Sequence, residues 1–165
     1  MKTIATRILR LVPRRAAGDD TPVPALSNLA MPEPPASVLV VDDEEPVRLY
    51  VDRILTAAGY RTTLAADCAD ALLAVTRERF DLLLTDVMMP EMTGAALATR
   101  MRETVPDLKV LYLTGHTDRL FEEKARLSQQ EAFLAKPCTA NALRQAVSLA
   151  ITGRVGGPVP AESAG

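Results

Sequence analysis

A chain of 165 residues holds one ordinary domain with a sizeable core and short extensions. With 48% hydrophobic and 24% charged residues and a net charge of −2, nothing in the overall balance directs it to nucleic acid. Its two cysteines, Cys68 and Cys138, are too few for a disulfide framework and lack CxxC spacing, and no apolar run approaches the roughly 20 residues that cross a bilayer; reduced, inert thiols in a cytoplasmic protein are the expectation.

Residues 1–36 are expected to form a basic, proline-rich extension, mostly disordered. The opening MKTIATRILRLVPRR places Ile4, Ile8 and Leu11 on one helical face among five cations, and it lacks the apolar stretch of a secretory signal. Three readings stay open for it: a disordered arm, a short helix docking weakly on a membrane or partner, or an organelle-directing presequence. Residues 16–36 then carry prolines at 22, 24, 32, 34 and 35, the composition of a linker that cannot build a core.

Folding is expected to begin near Ser37. Val38–Val41 is a continuous apolar run, as in a strand covered on both faces, and it ends in the acidic loop DDEEP. Val47, Tyr50, Val51, Ile54, Leu55 and Ala58 follow at helical spacing, between Pro46 at a helix-starting position and Gly59 at a helix-ending one. Residues 60–65 read as a second strand, Asp67 as the cap of a helix reaching about Glu78, and residues 81–85 as a third strand whose successor is Asp86. A helix over 94–103, a strand within LKVLYLT, a polar helix over about 118–128, a strand in EAFLA and a helix capped by Thr139 complete the series; residues 153–165 read as a flexible tail. Five strands alternating with five helices over residues 37–152 predict an α/β fold, a doubly wound parallel sheet with helices on both faces and its site at the carboxyl ends of the strands.

At those ends stand Asp42 and Asp43 after the first strand, Asp86 after the third, Thr114 on the fourth and Lys136 after the fifth. Two unit charges about 4 Å apart repel by roughly 4 kcal/mol at an effective dielectric near 20. Three clustered carboxylates therefore need a cation, and oxygen ligands of this kind suit Mg²⁺.

The segments VLVVDDEEPVR, LLLTDVMMPEMTG, LYLTG and FLAKP, in this order, resemble the receiver domain of two-component response regulators. Each segment alone is common; the ordered set over residues 37–152 is specific. The resemblance implies a flavodoxin-like sheet of order 2-1-3-4-5, which brings the acidic pair against Asp86. It implies that Asp86 accepts a phosphoryl group from a phosphohistidine on a sensor histidine kinase or histidine phosphotransfer protein. It further implies Mg²⁺ held by Asp42, Asp43, Asp86 and the Met88 carbonyl, with Thr114 and Lys136 contacting the phosphoryl group and a cis Lys136–Pro137 bond. Phe133 matches an aromatic switch that turns inward on phosphorylation and remodels a protein-binding face made by the fourth predicted helix, the fifth strand and the fifth predicted helix. An aromatic on such a strand is also often static core, and both readings of Phe133 stand.

Some positions depart from the commonest pattern of that family. Phe133 lacks the hydroxyl of a tyrosine, Met88 sets a large apolar side chain two residues past the phosphoacceptor, and Cys138 stands where an aromatic is frequent. His116, the one histidine, is not expected to relay phosphate, because such a residue normally projects from a helical bundle. A haloacid dehalogenase phosphatase also uses a strand-end aspartate but needs a second one two residues on, where this chain has Met88. A flavin-binding module needs a hydroxyl- and glycine-rich loop after the first strand, and DDEEP would repel a phosphate there. No DNA-binding or cyclase segment follows Ile151. A stand-alone regulator that switches a protein target is therefore the expected role, with a relay intermediate or phosphate sink as the alternative.

Overall fold

The computed structural model describes residues 34–115 and 127–153. The readings for residues 1–33, for His116, for most of the polar helix at 118–128 and for the tail from 154 lie outside these residues.

Five strands are present: β1 (Ser37–Val41), β2 (Arg61–Ala65), β3 (Leu82–Asp86), β4 (Lys109–Thr114) and β5 (Glu131–Ala135). They form one parallel sheet in the order β2-β1-β3-β4-β5. β1, β3 and β4 are buried along almost their whole length and lie inside the sheet, whereas β2 (RTTLA) and β5 (EAFLA) are largely half-buried or exposed and take its edges.

Four helices lie among the described residues: α1 (Glu45–Ala57), α2 (Cys68–Arg77), α3 (Gly94–Thr104) and α4 (Ala140–Thr152). α2, α3 and α4 begin at Asp67, Thr93 and Thr139, whose side chains accept from the backbone N–H three residues on. α1 has no side-chain cap; Pro46 in its first turn and Gly59, at φ 87°, just past its end delimit it instead.

Alternation along the strands divides the core. Val38, Val40, Leu82, Leu84, Leu111 and Leu113 pack on one face with Val51 and Leu55 of α1 and Leu143 and Val147 of α4. Leu39, Val41, Leu83, Val110 and Tyr112 pack on the other with Ala71 and Val75 of α2 and Leu97, Ala98 and Met101 of α3. The doubly wound arrangement expected from the sequence is thus the observed one, and it sends the loops after β1, β3, β4 and β5 to one end of the sheet. Several boundaries moved: β1 takes in Ser37, which donates to Asp81, β2 begins at Arg61, and β3 runs from Leu82 through Asp86 itself. Ser128, placed at the end of the polar helix, is not helical.

A second set of contacts secures the opposite end of β5. The Glu131 carboxylate accepts from Arg102 Nη1 at 2.9 Å, from the Tyr112 hydroxyl at 3.0 Å and from the Ser128 amide at 2.9 Å. Arg102 also donates twice to the Leu108 carbonyl, so α3, β4 and β5 are tied at one point.

Candidate functional site

Strands β1 and β3 are neighbours, with Val41 opposite Thr85, so the residues that leave them meet. Asp42, Asp43 and Asp86 each bring a carboxylate oxygen within 4.8 Å of the others. Asp42 is 1% exposed and Asp86 9%, while Asp43 faces solvent. Lys136, two strands away, reaches across with its Nζ 3.1 Å from Asp42 Oδ2 and 3.5 Å from Asp86 Oδ1.

Backbone groups hold the acids in place. The Glu44 amide donates to Asp42 Oδ1 at 2.9 Å, and the Val87 amide to Asp86 Oδ1 at 2.8 Å. Arg48 Nη1 donates to the Asp42 carbonyl at 2.6 Å, which sets a positive charge beside the cluster without occupying a carboxylate oxygen. Thr114 is buried at the end of β4, and its carbonyl accepts from the Lys136 amide at 2.7 Å. Hydroxyl and ammonium are therefore borne on one backbone crosspiece. The Lys136–Pro137 bond is cis, as the resemblance implied.

The electrostatics suit a nucleophile awaiting a cation. Burial pushes the Asp86 carboxyl above the ordinary aspartate value; the Lys136 ammonium opposes this and the Asp42 charge adds to it. Burial acts to lower Lys136, but Asp42 and Asp86 outweigh it and leave the ammonium above its ordinary value. Lys136 pairs with two of the three carboxylates, Asp42 and Asp86, and the all-oxygen cluster fits a hard divalent ion.

The sequence-predicted residues Asp42, Asp43, Asp86, Thr114 and Lys136 thus converge at one end of the sheet. Met88 lies at the rim, 41% exposed. Phe133 is 41% exposed on the edge strand β5, in register with Tyr112. Two contributors were not singled out from sequence. Arg48, in the first turns of α1, acts through the Asp42 carbonyl. Gly94 was read only as the start of a helix, yet a Cβ there would lie 2.1 Å from the Asp86 carbonyl oxygen, so only glycine lets α3 begin against β3.

A cavity of about 580 Å³ opens beside Asp86 and Lys136. Val47, Tyr50, Met88, Leu113, Pro137 and Cys138 supply most of its apolar wall. The Tyr50 hydroxyl donates to the Cys138 carbonyl at 3.1 Å and links α1 to the segment after β5. No described helix is long and apolar enough to cross a membrane.

Comparison with known proteins agrees with this geometry. The model of the response regulator receiver domain matches residues 38–148. The response regulator receiver protein CpdR of Brucella abortus is 35% identical over 100 residues, 61% of this chain and 83% of that protein. The sensor kinase CckA of the same organism is 35% identical over 105 residues, 62% of this chain and 11% of that protein. Among solved structures, the chemotaxis protein CheY4 of Vibrio cholerae matches 69% of this chain and 97% of its own, with a TM-score of 0.63 and 33% identity. The response regulator TrrA of Thermotoga maritima, solved in complex with Mg²⁺ and BeF, matches 68% of this chain and 96% of its own, with a TM-score of 0.59 and 26% identity. With the acidic cluster, the strand order and the family match in agreement, the chain belongs to the response regulator receiver domains of two-component signal transduction.

Proposed function

We propose that this receiver takes a phosphoryl group from a phosphohistidine, on a sensor histidine kinase or a histidine phosphotransfer protein, onto Asp86, and thereby switches a protein-binding face. The observation that carries the reading is the meeting of three carboxylates within 4.8 Å with the Lys136 ammonium 3.5 Å from Asp86. Such a site catalyses only its own phosphorylation and dephosphorylation.

Asp86 supplies the attacking oxygen; the new O–P bond forms as the N–P bond of the phosphohistidine breaks. The Val87 amide holds Asp86 Oδ1, which leaves Oδ2 for attack. Lys136 offsets the charge that gathers on the phosphoryl oxygens, and the Thr114 hydroxyl turns toward them. Mg²⁺, held by Asp42, Asp43, Asp86 and the Met88 carbonyl, supplies the remaining positive charge when bound. Movement of Thr114 opens room for Phe133 to turn in from its exposed position, and the β5 face changes shape. Moving such a switch from 1:99 to 99:1 takes about 5.5 kcal/mol of differential stabilisation.

The partner is a protein, not nucleic acid, and the setting is the cytoplasm. The same chemistry serves a relay intermediate or phosphate sink, a reading favoured by the likeness to a segment of the kinase CckA. With a small phosphodonor and Mg²⁺, Asp86→Asn is expected to abolish labelling by intact-protein mass spectrometry while Asp52→Asn keeps it; equal labelling of both variants would overturn the assignment. A pulldown with beryllofluoride-loaded against free protein separates a regulator, which gains a partner, from a sink, which gains none.

A further inference from the structure

The acidic loop after β1 is held unevenly. Asp42 is fixed at both carboxylate oxygens, by the Glu44 amide on Oδ1 and by Lys136 on Oδ2. Asp43 is exposed, and no hydrogen bond among the described residues restrains its carboxylate. Yet that carboxylate stands within 4.8 Å of those of Asp42 and Asp86. Repulsion between like charges this close drives an unrestrained side chain outward, so the backbone has to aim it.

The aim comes from α1. Its first turn has no side-chain cap, and Arg48, half-buried on the following turn, folds back to donate from Nη1 to the Asp42 carbonyl at 2.6 Å. That carbonyl and the Asp43 amide belong to one planar peptide group. Pinning its oxygen, with the Asp42 side chain already anchored, fixes the plane and so the direction in which Asp43 leaves the chain.

Arg48 can act on a bound cation in two ways of opposite sign: its charge repels the cation, and its hydrogen bond orders the ligands. The guanidinium is half open to solvent and spent on a carbonyl, so screening limits the gain from deleting its charge to a few-fold tightening. Loss of a group that orients a metal ligand commonly costs about 10–100-fold in affinity. We propose that Arg48 is a positioning residue for the divalent ion. Through the Asp42 carbonyl it turns the peptide between Asp42 and Asp43 so that Asp43 faces Asp86, and this orientation, not its charge, governs how tightly Mg²⁺ is held. The inference rests on Asp42, Asp43 and Asp86 being the metal ligands.

The test measures the Mg²⁺ dissociation constant of the full chain by titration calorimetry, without any phosphodonor, at low and at high KCl. Arg48→Met keeps an apolar stem but loses donor and charge. It is expected to weaken Mg²⁺ binding about tenfold, by the same factor at both salt concentrations, because orientation is not screened. Arg48→Lys keeps the charge on a shorter stem without the planar fork. It is expected to weaken binding by a few-fold, and it decides the matter if the methionine variant does not fold. With a small phosphodonor, Asp86 labelling in Arg48→Met should need about tenfold more Mg²⁺ and then reach the parent rate, a split that general loosening of the fold would not give. Tighter Mg²⁺ binding by Arg48→Met, or unchanged binding by both variants, would overturn the inference while leaving the metal site in place. Parent affinity for Mg²⁺ in Asp43→Asn would instead overturn the ligand assignment itself.

Discussion

At the scale of single residues, Asp86 sits in its buried place at a cost to stability. Its carboxyl is held above the ordinary aspartate value chiefly by burial. A raised folded-state value contributes stability that is fully present below the unfolded value and lost as pH rises through the folded one. Without Mg²⁺, Asp86→Asn is therefore expected to melt a few degrees above the parent at neutral pH. The gain should shrink to nothing as pH falls below the ordinary carboxylate range, which thermal melts across pH will check. Gly94 shows the reverse dependence of site on packing. A methyl group there would meet the Asp86 carbonyl oxygen at 2.1 Å. Overpacking of this kind costs roughly 1–3 kcal/mol, so Gly94→Ala is expected to destabilise the fold by about that much in urea titrations and to slow labelling of Asp86. The carboxylates and Lys136 were legible in the sequence because charged residues directly after apolar strands stand out. Arg48 and Gly94 were not, since their contacts are to backbone carbonyls that a linear pattern does not reveal.

Among the elements, apolar runs and caps carried most of the information. Asp67 and Thr139 were readable as caps because each precedes a run of helical periodicity, and each accepts from the amide three residues on. Thr139→Ala is expected to cost about 1 kcal/mol of unfolding free energy, the usual worth of such a cap, with chemical denaturation as the measure. Strand ends were read less well. Asp86 looked like the residue after β3 because a buried carboxylate breaks an apolar pattern, yet the ladder continues through it opposite Leu113. The orientation of Phe133 was not legible either: β5 is an edge strand, and which of its faces is covered depends on the rest of the fold. Glu131, at the start of the same strand, is enclosed by Arg102, Tyr112 and the Ser128 amide, contacts that a linear pattern does not reveal.

For the molecule as a whole, the order of the strands does the work of assembly. It sets two acids from β1 beside one from β3 and brings the lysine over from β5, an arrangement whose existence the alternation of elements foretold but whose distances it could not. Repulsion among those acids makes the fold responsive to metal. Mg²⁺ at about a hundred times its dissociation constant is expected to add roughly 2.7 kcal/mol of stability, seen as a rise in melting temperature that chelation reverses and Asp43→Asn abolishes. The hydrogen bond from the Lys136 amide to the Thr114 carbonyl, 2.7 Å long, spans the two strands between the reacting centre and the outer edge of the sheet. Its nitrogen and hydrogen should register any shift of either strand, so one cross-peak from a ¹⁵N-lysine sample can serve as a spectroscopic gauge of how far the switch has moved, with no need to know which protein listens to it.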